Sequence, residues 1–349
     1  MTSPIPVHIV TGFLGSGKTT LVNELVRDPA FAGTAVLINE LGEIAVDHDL
    51  VARIEDGGVE TTTGCLCCAA ESDITLSLDR LAARVAAGEI RPFRRVIVET
   101  TGLADPAPVV TALLPPAPAS HAYQLTSVVA LYDIVHGAAS LDAHFEAVKQ
   151  LALADAIVLT KTDLAHDPAT LADIAADRLR LQRLNPAAAI LDRQSDRDGV
   201  KALLLGHGSY DVAARSQDAL AWLAAERIIA AGHHHAPSGA APSDRHDGVA
   251  SHCIVADEPL DPRGFRLFLE ALKLSAGPKI LRLKGLVALA DDPERPVVLH
   301  GVQHMIHPVT RLDRWPSADK RTRLVIIGRD LKAPSIERML ATLKPKILS

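Results

Sequence analysis

Val7-His8-Ile9-Val10-Thr11-Gly12-Phe13-Leu14-Gly15-Ser16-Gly17-Lys18-Thr19-Thr20 runs from an apolar strand through a glycine-rich turn into a helix. Within it Gly12 to Thr19 spells Gly-x-x-x-x-Gly-Lys-Thr, and the flanking strand and helix give that spacing its meaning. Gly15 and Gly17 let the backbone curl so that successive N–H groups face phosphate oxygens. A helix opening near Lys18 adds its positive end at the same place. Lys18 is expected to reach the β- and γ-phosphates of a nucleoside triphosphate and Thr19 to ligate Mg²⁺. Gly12, Ser16 and Thr20 complete the phosphate set.

Outward from this loop, short apolar runs alternate with helical stretches to about Leu223, the pattern of a mostly parallel α/β sheet. Strands are expected at Val7–Thr11, Ala35–Ile38, Arg95–Glu99, Ser127–Tyr132 and Ala156–Thr160. Their near-continuous apolarity suits strands covered on both faces. Helices are expected at Thr19–Val26, Thr75–Ala86 and Asp142–Ala154, with helical spacing again over Leu171–Leu184. Residues 226–248 turn to Gly, His, Pro, Ser and Ala and read as a flexible linker. Beyond it a smaller α+β domain is expected at 249–349. Its strands lie at Ser251–Val255, near Lys279–Leu289, at Val297–Val302 and at Arg323–Ile327, with helices at Pro262–Leu274 and Ser335–Leu343.

The 349 residues allow two cores. A net charge of −6 and 3 % aromatics argue against nucleic acid as a partner. The start, Met1-Thr2-Ser3-Pro4-Ile5-Pro6, has neither a basic n-region nor an apolar h-region, and no apolar run nears about 18 residues. A cytoplasmic location without a membrane partner is therefore expected.

Val96-Ile97-Val98-Glu99-Thr100-Thr101-Gly102 places a carboxylate at a buried strand end, then glycine. This is a Walker B arrangement, with Glu99 on a Mg²⁺-bound water and the Gly102 N–H on the γ-phosphate. Thr160-Lys161-Thr162-Asp163 closes a later strand. A carboxylate at Asp163 can accept from guanine N1–H and N2–H₂, which adenine does not offer. GTP is the expected nucleotide, held by Lys161 and Asp163.

Three of the four cysteines fall in Gly64-Cys65-Leu66-Cys67-Cys68. Cys65, Cys67 and Cys68 cannot all point one way from a regular helix or strand, so a turn after Gly64 is expected. Thiolates select Zn²⁺, Co²⁺, Ni²⁺ or Cu⁺ over Mg²⁺. Three leave room for a fourth ligand, for which Glu43, Glu40 and His48 are candidates; a redox pair or inert thiols are the plainer reading. His233, His234 and His235, with His246 and His252 beyond, could bind metal in the linker or merely solvate it. Cys253 reads as a buried free thiol, and His304 and His307 as structural histidines.

Together Gly12–Thr20, Asn39-Glu40-x-Gly42-Glu43, Gly64-Cys65-x-Cys67-Cys68, Glu99-Thr100-Thr101-Gly102-Leu103-Ala104-Asp105-Pro106 and Thr160-Lys161-Thr162-Asp163 resemble the CobW-like GTPases, a family of metal chaperones. Thr160 stands where Asn is usual. Arg282-Leu283-Lys284-Gly285, Gly301-Val302-Gln303-His304 and Leu324-Val325-Ile326-Ile327-Gly328-Arg329-Asp330 resemble that family's second domain. The resemblance implies slow GTP hydrolysis with Lys18, Glu99 and Glu43 in the catalytic set. It also implies a zinc or cobalt cargo on Cys65, Cys67, Cys68 and Glu43. The partner would be a client metalloprotein or cofactor-synthesis enzyme, and a metal-dependent homodimer is open. The family's Thr and basic residue after the cysteines are replaced by Ala69-Ala70-Glu71-Ser72-Asp73, and a carboxylate found in some members two residues before Glu40 is Ile38. Glu43 is left as the better oxygen ligand. A metal-storage or sensing protein and a P-loop ATPase or kinase are the rival readings.

Overall fold

The computed structural model describes residues 4–40, 59–63, 66–114, 122–165, 167–206, 248–306 and 310–341. Contacts divide the chain into two compact units, Met1–Arg178 with Ile190–Asp211, and Leu179–Ala189 with Val212–Ser349. The expected linker lies outside the described residues apart from Gly248.

The first unit is built on a sheet of order β3-β2-β4-β1-β5-β6-β7. Its strands are β1 (Ile5–Gly12), β2 (Thr34–Glu40), β3 (Val59–Thr63), β4 (Arg95–Glu99), β5 (Tyr123–Asp133), β6 (Ala156–Thr160) and β7 (Ala189–Asp192). Every pairing from β3 across to β6 is parallel. The connections between strands carry α1 (Lys18–Arg27), α2 (Leu66–Ala86), α3 (Ala107–Ala112), α4 (Gly137–Ala143), α5 (Phe145–Leu153) and α6 (Pro168–Leu184), and α7 (Arg197–Leu205) follows β7. Val10, Val36, Ile97, Val129 and Val158 pack with Leu21, Val22 and Leu25 of α1 and with Val200 and Leu204 of α7. The alternate residues Ile9, Val98 and Val128 are equally buried, so both sheet faces are covered. His8 is buried among them with Nδ1 2.8 Å from Ser127 Oγ, and burial pushes its pKa down to about 3, keeping it neutral.

Several local features depart from the sequence reading. β3 and β7 are added at the two ends of the sheet order. The single helix expected over Asp142–Ala154 is two, because His144 takes an extended backbone between α4 and α5. Cys67 and Cys68 lie in the first turn of α2 rather than in a loop, since the helical run Thr75–Ala86 continues back through Ala69 and Ala70, strong helix formers, to Leu66.

In the second unit the strands are β8 (Val249–Ala256), β9 (Ile280–Val287), β10 (Val297–Val302), β11 (Met305–Ile306), β12 (Thr310–Arg311) and β13 (Thr322–Arg329). They form an antiparallel sheet of order β11-β10-β9-β13-β8, with β12 on β10. Phe265, Phe268, Leu269 and Leu272 of α8 (Pro262–Ala276) cover one face, with Ile336 and Leu340 of α9 (Ala333–Ala341). This is the α+β domain expected. His252 sits in β8 opposite Ile326, so it belongs to the sheet and not to the linker. Cys253, next along, is half-buried rather than buried.

Asp261 caps α8, its Oδ2 accepting from the Gly264 N–H at 2.7 Å, with Pro262 at the first helical position. Asp261→Ala is expected to lower stability by about 1 kcal/mol in urea titration.

Candidate nucleotide and metal site

Parallel pairing sends the C-terminal ends of β1, β4, β2, β5 and β6 to one edge, where ligands of open α/β sheets bind. The strand β1 ends at Gly12, whose backbone passes so close to β5 that a Cβ there would lie 2.6 Å from Leu131 O. Gly17 has φ 90° at the cap of α1, a left-handed conformation that a side chain would strain. Between them the chain turns tightly, and Lys18 folds back over it. Its Nζ donates to Gly12 O at 2.8 Å and Phe13 O at 3.1 Å. Burial lowers the Lys18 pKa from 10.5 to about 8, against an upward pull from Glu99.

Thr19 Oγ1 donates to Glu99 Oε1 at 2.6 Å, joining the start of α1 to the end of β4. Glu99 is only 4 % exposed. A hydroxyl and a carboxylate oxygen side by side form a hard donor set that fits Mg²⁺. Past Glu99, the Thr100 N–H donates to Val10 O at 3.0 Å and Thr100 Oγ1 to Thr11 Oγ1 at 2.8 Å. Gly102 then packs on the loop, where a Cβ would lie 2.6 Å from Leu14 Cδ2 and 2.7 Å from Leu14 N. Thr20 is exposed and Ser16 is buried.

The segment after β6 joins the same mouth. Thr160 Oγ1 donates to Ser16 O at 2.9 Å, so this threonine ties the phosphate loop to the following turn. Lys161 adopts φ 61°, and its Nζ pairs with Asp133 Oδ2 at 2.6 Å. Asp163 is exposed, and its Oδ1 accepts from Gln194 Nε2 at 3.2 Å. Asp192 braces the turn beyond β7, its Oδ1 accepting from Thr162 Oγ1 at 3.0 Å, the Gln194 N–H at 2.8 Å and the Ser195 N–H at 3.1 Å. Asp133, Asp192, Gln194 and Gln150 escaped sequence reading, since single polar residues at strand ends and in helices carry no spacing signal.

On the other side of β4, Ile38 of β2 pairs with Glu99, and Glu40 at the end of β2 pairs with Thr63 at the end of β3. Thr63 is two residues ahead of Cys65 in sequence. The structure thus brings the approach to the cysteine motif to the same sheet edge as Glu99. Cys65, Glu43, His48, His233, His234, His235, His246 and His307 lie outside the described residues. Among the described residues no cluster of three metal-binding side chains occurs.

A strand, a glycine loop with positive φ angles, a buried lysine and an adjoining Thr–Glu pair define a P-loop nucleotide-binding protein. The domain described as CobW/HypB/UreG, nucleotide-binding domain, matches residues 6–192, and the cobalamin synthesis protein cobW C-terminal domain matches residues 249–344. The chain belongs to the CobW family. It is 29 % identical to the zinc chaperone YjiA of Escherichia coli, over 98 % of this chain and 99 % of that one. It is 32 % identical to the zinc chaperone CobW of a Sinorhizobium species, over 93 % and 92 %. A crystal structure of Zn(II)-bound YjiA GTPase from E. coli superposes with a TM-score of 0.70 at 25 % identity, covering 98 % of this chain and all of that one. Among the described residues no helix is long and apolar enough to cross a membrane.

A phosphate held beside Lys18 would favour the charged ammonium and raise its pKa again. Above about pH 8 binding should take up a proton, and affinity should fall by up to about tenfold per pH unit. Calorimetry of GDP binding at pH 9 in two buffers of different ionisation heat measures the uptake, and Lys18→Ala should abolish it. The sign for folding is opposite. The unfolded lysine holds its proton to 10.5 and the folded, unliganded one to about 8, so this group makes the free protein more stable as pH rises between those values.

Proposed function

We propose that this chain is a GTP-hydrolysing metallochaperone that carries a transition metal, zinc or cobalt, to a client metalloenzyme or cofactor pathway. The observation that carries this reading is the pairing of β2 with both β4 and β3, Ile38 beside Glu99 and Glu40 beside Thr63. In this reading the magnesium-binding strand end and the entry to the thiol motif belong to β4 and β3, the two neighbours of β2. The names borne by YjiA and CobW, zinc chaperones alike along nearly the whole chain, support the cargo.

In this reading the N–H groups of Gly15 to Thr20 and the Lys18 ammonium hold the β- and γ-phosphates. Thr19 and Glu99 hold Mg²⁺, which when bound neutralises phosphate charge. Lys18 would stabilise the charge that develops as water attacks the γ-phosphorus and GDP leaves with the electrons of the broken P–O bond. Asp163 and Lys161 hold guanine, with Gln194 steadying Asp163. The cargo metal is taken by Cys65, Cys67, Cys68 and Glu43. Residues 41–58 join β2 to β3 and include Glu43, so a γ-phosphate that orders this connection brings an oxygen ligand to the thiolates, and hydrolysis releases it. A thiolate site of this kind suits a reducing cytoplasm.

Guanine selection is tested by Asp163→Asn, which turns one acceptor into a donor facing N–H groups. GTP affinity should drop by about 1–3 kcal/mol while ATP affinity stays as weak as before, measured calorimetrically. Equal wild-type affinity for GTP and ATP would favour the ATPase reading.

Linkage gives the second test. Metal should tighten GTP binding by the factor by which GTP tightens metal binding, about 5–150-fold, with GDP giving much less. Competition against a chromophoric chelator, with Zn²⁺ and Co²⁺ measured in nucleotide-free, GDP and GTP-analogue states, reads both sides of the cycle. One metal affinity across all three states would leave a GTPase without a chaperone's coupling.

A further inference from the structure

Gln150 sits on α5, fully buried, and spends its side-chain amide on the segment that follows Glu99. Its Nε2 donates to Gly102 O at 3.1 Å and to Ala104 O at 3.0 Å. One residue earlier on the same helix, Lys149 Nζ pairs with Asp105 Oδ2 at 2.7 Å. Upstream, Thr100 is tied to β1 through its N–H and hydroxyl. Between these anchors the Ala104 N–H closes a turn on Thr101 O at 3.2 Å. Gly102 is therefore held from both sides and pressed against Leu14 of the phosphate loop. Gln150 also lines a small cavity with Gly12, Phe13 and Ser16. Gln150 Oε1 and Ser16 Oγ, both buried, have no hydrogen-bond partner among the described residues.

We propose that Gln150 is the positioning residue for recognition of the γ-phosphate: by fixing the carbonyls of Gly102 and Ala104 it sets where the Gly102 N–H meets a triphosphate. The reasoning is geometric. Each peptide unit is planar, so the Gly102 N–H turns with the Thr101 carbonyl, which the Ala104 N–H holds; pinning the carbonyls of 102 and 104 fixes the two units that follow, and with Thr100 pinned upstream the turn has little freedom to rotate. A glycine has no side chain to fix its own orientation, and something else must supply it. A neutral amide suits this role, donating both its protons to carbonyls that would otherwise be buried without partners. GDP makes no contact at this position, so a fault here touches triphosphate alone. The proposal rests on the reading of Gly102 as a γ-phosphate ligand.

The test uses the full chain carrying Gln150→Met, which keeps length and apolar bulk but donates nothing, and Gln150→Glu, which faces two carbonyls with a carboxylate. Affinities for GDP and for a non-hydrolysable GTP analogue are measured with Mg²⁺, together with single-turnover hydrolysis. Both variants should hold GDP within about twofold of wild type. The analogue affinity and the single-turnover rate should fall about ten- to a hundredfold, the scale of a misplaced contact. Equal weakening toward both nucleotides, or no change toward either, overturns the proposal, the first by showing a merely structural role. Should neither variant fold, backbone amide exchange of residues 102–104 in the wild-type protein decides: the analogue must protect them and GDP must not. Gly102→Ala separates the two levels. If it keeps the preference for triphosphate, the γ-phosphate reading of Gly102 fails and this proposal with it; if it loses the preference while the Gln150 variants keep it, only the role of Gln150 fails.

Discussion

The parallel ladder that β1 makes with β4 on one side and β5 on the other supports everything at the nucleotide mouth. Val10 pairs with Glu99 and Gly12 with Leu131. Those two registers put the glycine loop, the Glu99 carboxylate and the strand leading to Asp133 at one height. A shift of one residue on either side would reverse the faces of the strand and lift Glu99 away from Thr19. The tight approach of Gly12 to Leu131 helps fix that height, because the two backbones meet with no space for a side chain.

Charge is placed inside this frame with little slack. Lys18 is buried beside two carbonyls and near Glu99, so the loop carries a cation that is poorly solvated and already oriented. A poorly solvated cation gains more from a phosphate than a hydrated one does, which is the advantage of a preorganised site. The turn that would contact guanine is held by a neutral tie to the same loop, through Thr160 and Ser16, and by an ionic one to the end of β5, through Lys161 and Asp133. Base and phosphate pockets therefore share one rigid support.

How much of this could be read from the sequence follows from what each segment depends on. The strands at Arg95–Glu99 and Ala156–Thr160 and the loop at Gly12 to Thr19 are local in origin, apolar runs ended by turn residues, and they stand where the pattern put them. The threonine at 160 was legible as a departure from Asn, but its bond to Ser16 was not, because it spans 144 residues. The helix break at His144 was hidden because Leu141, Phe145 and Val148 keep helical spacing across it; the stacking of His144 on Phe13, with ring centroids 4.5 Å apart, is a tertiary contact. Gln150 was invisible for the same reason. A lone glutamine in a helix reads as solvated until the chain folds over it. β3 escaped because Val59-Glu60-Thr61-Thr62-Thr63 has a single apolar residue and no alternation.

That composition matters at the other end of the strand. Among the described residues every ladder bond of β3 runs to β2, on one side only, since β3 stands at the end of the sheet order. A sequence so polar carries little apolar alternation to fix a register, and a slip of one residue along β2 would move Thr63 by about 3.3 Å. In the proposed reading the thiol motif follows a strand at the end of the described sheet order, while the nucleotide would sit at the C-terminal ends of the central strands. Substitutions in those five residues would act on the approach to the thiols without touching β1, which pairs with β4 and β5 and leads into the glycine loop.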